Sequence, residues 1–146
     1  MKKIALILMA VVSMALVSCG GGKDEGVKPA DPAFEYDGDG TVLDGCFQMK
    51  SVGVREDSPY KIVTSITVEV IKDIPFDKMK ANNDDYYIWV FPHLLDKNMV
   101  KIGLGALTVN LKGKKKGDVF NISETIKTEE PYLTKEVKYA RLGIGH

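Results

Sequence analysis

Residues 61–70 read Lys-Ile-Val-Thr-Ser-Ile-Thr-Val-Glu-Val, and this stretch decides the fold. Most of its residues are β-branched, and apolar side chains recur at every second position. Because successive side chains of a β-strand point to opposite faces, this period of two predicts a long strand with one buried face. We expect the buried face to carry Ile62, Thr64, Ile66, Val68 and Val70.

The same period of two continues through the rest of the chain. Apolar residues alternate with polar ones from residue 47, and again over residues 107–111, 120–126 and 140–144. No segment shows a sustained apolar stripe with the 3.6-residue period of a helix. About seven short strands joined by turns within roughly 100 residues predict an all-β fold, an antiparallel β-sandwich, with a small closed β-barrel as the alternative.

Residues 86–91 read Tyr-Tyr-Ile-Trp-Val-Phe and are apolar on both faces of a strand. This pattern is typical of an interior strand that is covered on both sides. We therefore expect Trp89 and Phe91 to lie in the core. Tyr86 starts the strand beside an acidic loop, and we expect it to be the exposed aromatic residue that could stack on a ligand.

The first 19 residues have the pattern of an export signal. Lys2 and Lys3 precede an uncharged stretch of 14 residues, residues 4–17. A helix needs about 20 apolar residues to span a bilayer, so this stretch fits the hydrophobic region of a signal peptide. Ser18 then directly precedes Cys19, where an ordinary signal would have a small-x-small cleavage site.

This order of features resembles the signal of bacterial lipoproteins. The resemblance implies cleavage between Ser18 and Cys19 and acylation of Cys19, hence a membrane partner through the lipid anchor. Residues 23–25, Lys-Asp-Glu, resemble the acidic export signal of Bacteroidota surface lipoproteins, which implies the outer membrane and its outward face. The alternatives are an ordinary signal peptide with a chance cysteine, and a plain polar linker behind it.

These features divide the chain into three parts. Residues 1–18 are predicted to be the signal peptide, residues 19–45 a lipidated flexible tether, and residues 46–146 the β-sandwich. The tether is predicted from its many glycine, proline and acidic residues, which disfavour a packed core. Residues 86–146 also resemble small immunoglobulin-like lipoprotein domains of the Bacteroidota in their order of strands and turns, which implies the fold but no functional residue.

Charge and cysteine content exclude some classes of function. The whole chain is formally neutral, and without Lys2 and Lys3 it carries about −2, from 18 basic and 20 acidic residues. This balance gives no electrostatic basis for binding nucleic acid. The chain has two cysteines. If Cys19 is acylated, Cys46 has no partner for a disulfide, and we expect it to be a small buried side chain.

Asp37, Asp39 and Asp44 lie close together in a glycine-rich loop and are candidate calcium ligands. The EF-hand pattern fails, because its twelfth position falls on Cys46 instead of a bidentate glutamate. The alternative is a solvated turn, so we expect no cofactor beyond the lipid and keep calcium as a hypothesis. His93 and His146, the two histidines, lack the neighbouring ligands of a zinc site and are expected at the surface.

Lys112, Lys114, Lys115 and Lys116 form the one cluster of like charge, in a glycine-bracketed turn, and the last three are the candidate binding residues. They could contact an anionic glycan or lipid headgroups, or they could be the solvated residues of a hairpin turn. No nucleophile elbow or other catalytic motif is present, and no two of the 20 acidic residues stand out as a glycosidase pair.

The sequence therefore predicts a membrane-anchored, surface-exposed lipoprotein that acts as a non-catalytic binding or scaffold module. Its expected partner is a glycan or another envelope protein. One alternative is a small hydrolase or an accessory subunit of an envelope enzyme complex. Another is a structural protomer that assembles through edge strands.

Overall fold

The computed structural model of the chain describes residues 26–145. The predicted signal peptide, the cleavage site between Ser18 and Cys19, the acidic segment at residues 23–25 and His146 lie outside these residues. The sequence-based hypotheses about them therefore stay predictions.

Eight strands and three short 3₁₀ helices make up the described part of the chain. The strands are β1 (Lys28–Tyr36), β2 (Phe47–Ser58), β3 (Lys61–Val70), β4 (Tyr87–Leu95), β5 (Lys101–Leu104), β6 (Leu107–Asn110), β7 (Val119–Lys127) and β8 (Tyr139–Gly145). The 3₁₀ helices are η1 (Gly38–Leu43), η2 (Phe76–Lys78) and η3 (Leu133–Glu136). Within residues 26–145, no helix is long and apolar enough to span a bilayer.

The strands form two sheets that pack face to face. One sheet has five strands in the order β1-β8-β4-β5, with β6 also paired to β4, and the other has three in the order β2-β3-β7. The arrangement is an open sandwich, which confirms the predicted fold class and excludes the closed barrel. One detail differs from an all-antiparallel sandwich, because β1 runs parallel to β8.

The core lies between the sheets, and the alternating residues of 61–70 form a large part of it. Ile62, Thr64, Ile66, Val68 and Val70 of β3 are each at most 2% exposed, as predicted. The Thr64 hydroxyl donates a hydrogen bond to the Gly53 carbonyl at 3.3 Å, so a polar group can lie in the core without losing its partner. Fully burying an isoleucine contributes about 1.5–3 kcal/mol, so β3 is a main source of stability.

The flexible tether predicted for residues 19–45 is wrong over residues 28–43, where β1 and η1 pack on the sandwich. Ala30 and Leu43 are buried, and Phe34 packs against the core. The strand was not predicted because β1 contains two prolines, Pro29 and Pro32. They are tolerated because β1 is an edge strand and its register shifts between Pro29 and Phe34. The folded domain therefore starts well before residue 46.

Candidate functional site

The two faces of β4 differ in burial. Ile88 and Val90 point toward the three-stranded sheet and are at most 1% exposed, whereas Trp89 is 52% exposed and Phe91 is half-buried on the outer face. The prediction that Trp89 and Phe91 lie in the core is therefore wrong. β4 is interior in its hydrogen bonding, with neighbours on both edges, but only one face of its sheet is covered.

The outer face of β4 is left open by the strand beside it. In the antiparallel pairing of β4 with β8, Trp89 lies opposite Gly145 and Phe91 lies opposite Gly143. Because glycine has no side chain, nothing on β8 covers the two rings at these positions. The result is a groove of about 420 Å³. We call it the aromatic groove; its lining is Glu35, Asp37, Gly38, Asp39, Trp89, Phe91, His93, Leu104, Gly143, Ile144 and Gly145.

Carboxylates form one side of the aromatic groove. Asp37 follows β1, and its backbone N–H donates to the Ile144 carbonyl at 2.9 Å, which fixes this side against β8. Glu35 accepts a charged hydrogen bond from Arg141 at 3.0 Å. Asp39 pairs with Lys80 at 3.6 Å, but both side chains are exposed, so this pair contributes little to stability. Among the described residues, Asp37 has no ion-pair partner.

His93 extends the aromatic series on the same face of β4 and is half-buried. Burial lowers the pKa of its imidazole from the ordinary 6.5; nearby Glu35 opposes the shift, and the cations Lys101 and Arg141 add to it. The ring is therefore neutral near pH 7, with one nitrogen able to donate and the other able to accept a hydrogen bond. The sequence-based interpretation of His93 as an ordinary surface histidine missed its place in the groove.

The pKa of His93 predicts a measurable pH dependence. Because the neutral ring is favoured in the folded state, His93 contributes stability above about pH 6.5 that is lost as the pH falls below that value. We expect the His93 Cε1 proton to titrate by NMR below 6.5, and the urea midpoint of wild type to fall more steeply on acidification than that of His93→Gln. The spectrum of the His146→Gln variant shows which of the two imidazole signals belongs to His93. A His93 pKa above 6.5 would contradict the buried environment.

The other predicted site residues are dispersed. Asp37 and Asp39 line the aromatic groove, but Asp44 does not, and no group of three or more His, Cys, Asp or Glu within residues 26–145 could hold a metal ion. Tyr86 is not the exposed aromatic residue that was predicted. It lies on the core side of the sheet, with its ring centroid 4.6 Å from that of Phe76.

The lysine cluster lies in a turn, as predicted, but the turn is not a hairpin. It connects β6 of the five-stranded sheet to β7 of the three-stranded sheet. Lys115 and Lys116 are exposed, and Lys114 lies 5.2 Å above the centre of the Phe120 ring. None of the three lines the aromatic groove. Their role in binding stays a prediction.

Cys46 is a buried free thiol, which confirms the sequence-based interpretation. Its sulfur lies 3.8 Å from the Asp73 carbonyl oxygen. Burial raises the pKa of the thiol, so it stays protonated and unreactive.

Comparisons with known proteins add no relative. No family model matches the chain, and neither the curated proteins nor the solved structures contain a match. A functional assignment therefore rests on the residues of the chain itself.

Proposed function

We propose that this chain is a lipid-anchored lipoprotein of the bacterial outer membrane, facing the cell surface, whose β-sandwich binds a glycan in the aromatic groove without converting it. The observation that carries the proposal is the open aromatic face of β4 opposite two glycines. The signal features at residues 1–25 support the anchor and the location.

The chemistry of the groove suits a sugar. Flat aromatic faces pack well against the C–H faces of a pyranose ring, and Trp89 offers the largest such face. Carboxylates at one side accept hydrogen bonds from hydroxyl groups, and neutral His93 can donate or accept one. The volume of about 420 Å³ falls within the range typical of small-molecule sites, about 300–1,000 Å³.

The charge of the groove narrows the class of glycan. Among the described residues that line it, three are acidic, namely Glu35, Asp37 and Asp39, and none is Lys or Arg. Arg141 pairs with Glu35, and the exposed Lys80 pairs with Asp39, which leaves Asp37 without an ion-pair partner among the described residues. An anionic sugar would be repelled by Asp37, because like charges brought into one site cost free energy. A neutral or amino sugar is therefore the ligand class that fits best.

Truncating Trp89 tests this proposal. We expect Trp89→Ala to weaken binding by about 2 kcal/mol, roughly thirtyfold, as for other central aromatic anchors. A glycan array identifies a ligand for the wild-type chain, and isothermal titration calorimetry then compares the variants. Tyr87→Ala is the matched control, since Tyr87 is 45% exposed on the same face of β4 but does not line the groove.

A second variant blocks the groove without removing a contact. An added Cβ at Gly143 would lie 3.4 Å from the Phe91 Cβ and 3.6 Å from His93 Nε2, which is tight but near ordinary packing. Gly143→Val should therefore fold and cover the rings. Equal glycan affinity of wild type, Trp89→Ala and Gly143→Val would refute the aromatic groove as the binding site.

A hydrolase is the second candidate, favoured by one observation. The groove brings Glu35, Asp37 and Asp39 together with His93, the residue types that general acid–base catalysis uses. Incubation with any glycan that binds decides between the two candidates. Binding without product release supports a binding module. Product release that is lost in Glu35→Gln or Asp37→Asn supports the hydrolase.

A further inference from the structure

A second groove, of about 690 Å³, lies at the other end of β1 and β8. Its lining comes from the start of β1, the middle of β2, the turn between β4 and β5, and the segment from η3 to the start of β8. We call it the lysine groove. Of the 12 described residues that line it, four are lysines, namely Lys28, Lys97, Lys135 and Lys138, and none of the 12 is Asp or Glu.

This concentration of positive charge is local. The chain as a whole is formally neutral, so four lysines around one groove are not a consequence of composition. Lys97, Lys135 and Lys138 are exposed, and within residues 26–145 none of these three takes part in an ion pair. Charges held within about a Debye length of each other repel, and a bound anion removes that cost.

Apolar residues complete the lysine groove. Val27, Val52 and Val54 line it, and an isolated β-bridge between Val27 and Val52 holds the residue before β1 against β2. An anionic group attached to an apolar body fits such a lining better than a free inorganic ion does, because the ion leaves the valines exposed to water.

The position of the groove in the chain indicates where such an anion would come from. Gly26 and Val27 line it, and Cys19 precedes Gly26 by seven residues. Seven residues span at most about 25 Å when fully extended. If Cys19 carries the lipid, as proposed above, the groove cannot lie farther than this from the membrane surface.

We propose that the lysine groove binds the phosphate groups of anionic lipids in the membrane that holds the anchor. The domain then rests on the bilayer in a fixed orientation. Because β1 and β8 are parallel, both begin near the lysine groove and end near the aromatic groove. β8 rises about 20 Å over its length, so the aromatic groove points away from the membrane toward ligands outside.

Vesicle binding by the unlipidated mature chain tests the proposal. The chain starts at residue 19, carries Cys19→Ser, and contains the whole described fold. We expect it to cosediment with phosphatidylcholine vesicles that contain phosphatidylglycerol and not with phosphatidylcholine alone. Binding should be lost at about 1 M salt, where the Debye length is about 3 Å.

Charge variants locate the binding surface. Each lysine near an anionic bilayer strengthens binding about fivefold, so Lys97→Gln with Lys135→Gln should weaken it roughly 25-fold. Lys114→Gln with Lys115→Gln removes the same charge from the β6–β7 turn, which does not line the lysine groove, and should bind nearly as wild type does. Equal losses in both double variants, or no preference for phosphatidylglycerol, would overturn the proposal.

Competition with inorganic phosphate distinguishes lipid binding from binding of a free anion. At matched ionic strength, phosphate should compete only slightly better than chloride, because it lacks the apolar body that the valines contact. Complete displacement of the vesicles by phosphate at a concentration where chloride has no effect would identify a site for the free ion and overturn the lipid source. The vesicle assay uses an unlipidated chain and no glycan. A failure to bind vesicles would therefore contradict neither the anchor at Cys19 nor glycan binding in the aromatic groove.

Discussion

Replacing Cys19 with alanine is expected to abolish the incorporation of labelled palmitate and to release the protein from the membrane. Two or more acyl chains anchor a protein stably because each buried CH₂ contributes about 0.8 kcal/mol. Without them, the uncharged stretch at residues 4–17 is too short to span a bilayer, where about 20 apolar residues are needed. Immunoprecipitation after labelling, and fractionation in alkaline carbonate, measure the two effects.

The second cysteine provides the matched control. Cys46 is 1% exposed, so Cys46→Ala leaves a small apolar side chain in the core and should keep both the label and the membrane location. Palmitate labelling of Cys19→Ala that equals wild type would refute the lipid anchor. Loss of label in Cys46→Ala alone would place the acylation elsewhere than the signal sequence indicates.

The sandwich was predictable because one strand carries an unambiguous pattern. In β3, every second residue is apolar or threonine, and the register with β2 and β7 puts all of them in the core. A one-residue shift would expose the whole set, so the pattern determines both the strand and its buried face. The turn at residues 112–118 was equally predictable, because its glycines and lysines interrupt the alternation of apolar residues.

β1 was missed because its sequence is dominated by residues that weaken strand predictions. Pro29 and Pro32 interrupt the alternation, and acidic residues separate the few apolar ones. The strand forms because β8 offers a free edge that pairs with it in parallel. Such a partner lies over 100 residues away in the chain, and a local pattern carries no information about it.

The aromatic groove was missed for a related reason. Residues 86–91 are apolar on both faces of the strand, so the pattern could not tell which face meets the second sheet. The signal that distinguishes them is in β8. Gly143 and Gly145 recur at the same spacing as Phe91 and Trp89, and only their pairing explains why the rings stay open.

Gly40→Ala is expected to destabilise the fold by about 3 kcal/mol, the cost of overpacking a rigid contact. A Cβ at this position would overlap the carbonyl oxygen of Ile144 and would lie 3.1 Å from the Cα of Gly145. Both neighbours are backbone atoms of β8, which is held by β1 and β4 on its two sides, so no side chain can rotate away. The substitution must therefore lift η1 from the sheet and expose Leu43, which is fully buried.

Urea and thermal unfolding of the soluble chain measure this effect against a matched glycine. Gly53 in β2 has a single neighbour within 4 Å of an added Cβ, the Ser65 carbonyl oxygen at 3.9 Å, and its φ is not positive. Gly53→Ala should therefore be neutral or stabilise by about 0.4–1 kcal/mol, because it lowers the entropy of the unfolded chain. A loss of about 3 kcal/mol in Gly40→Ala would lower the melting temperature by about 10 °C. Equal melting temperatures for the two variants would mean that η1 does not pack against β8. The position of Asp39, which η1 contributes to the acidic side of the aromatic groove, would then lose its structural basis.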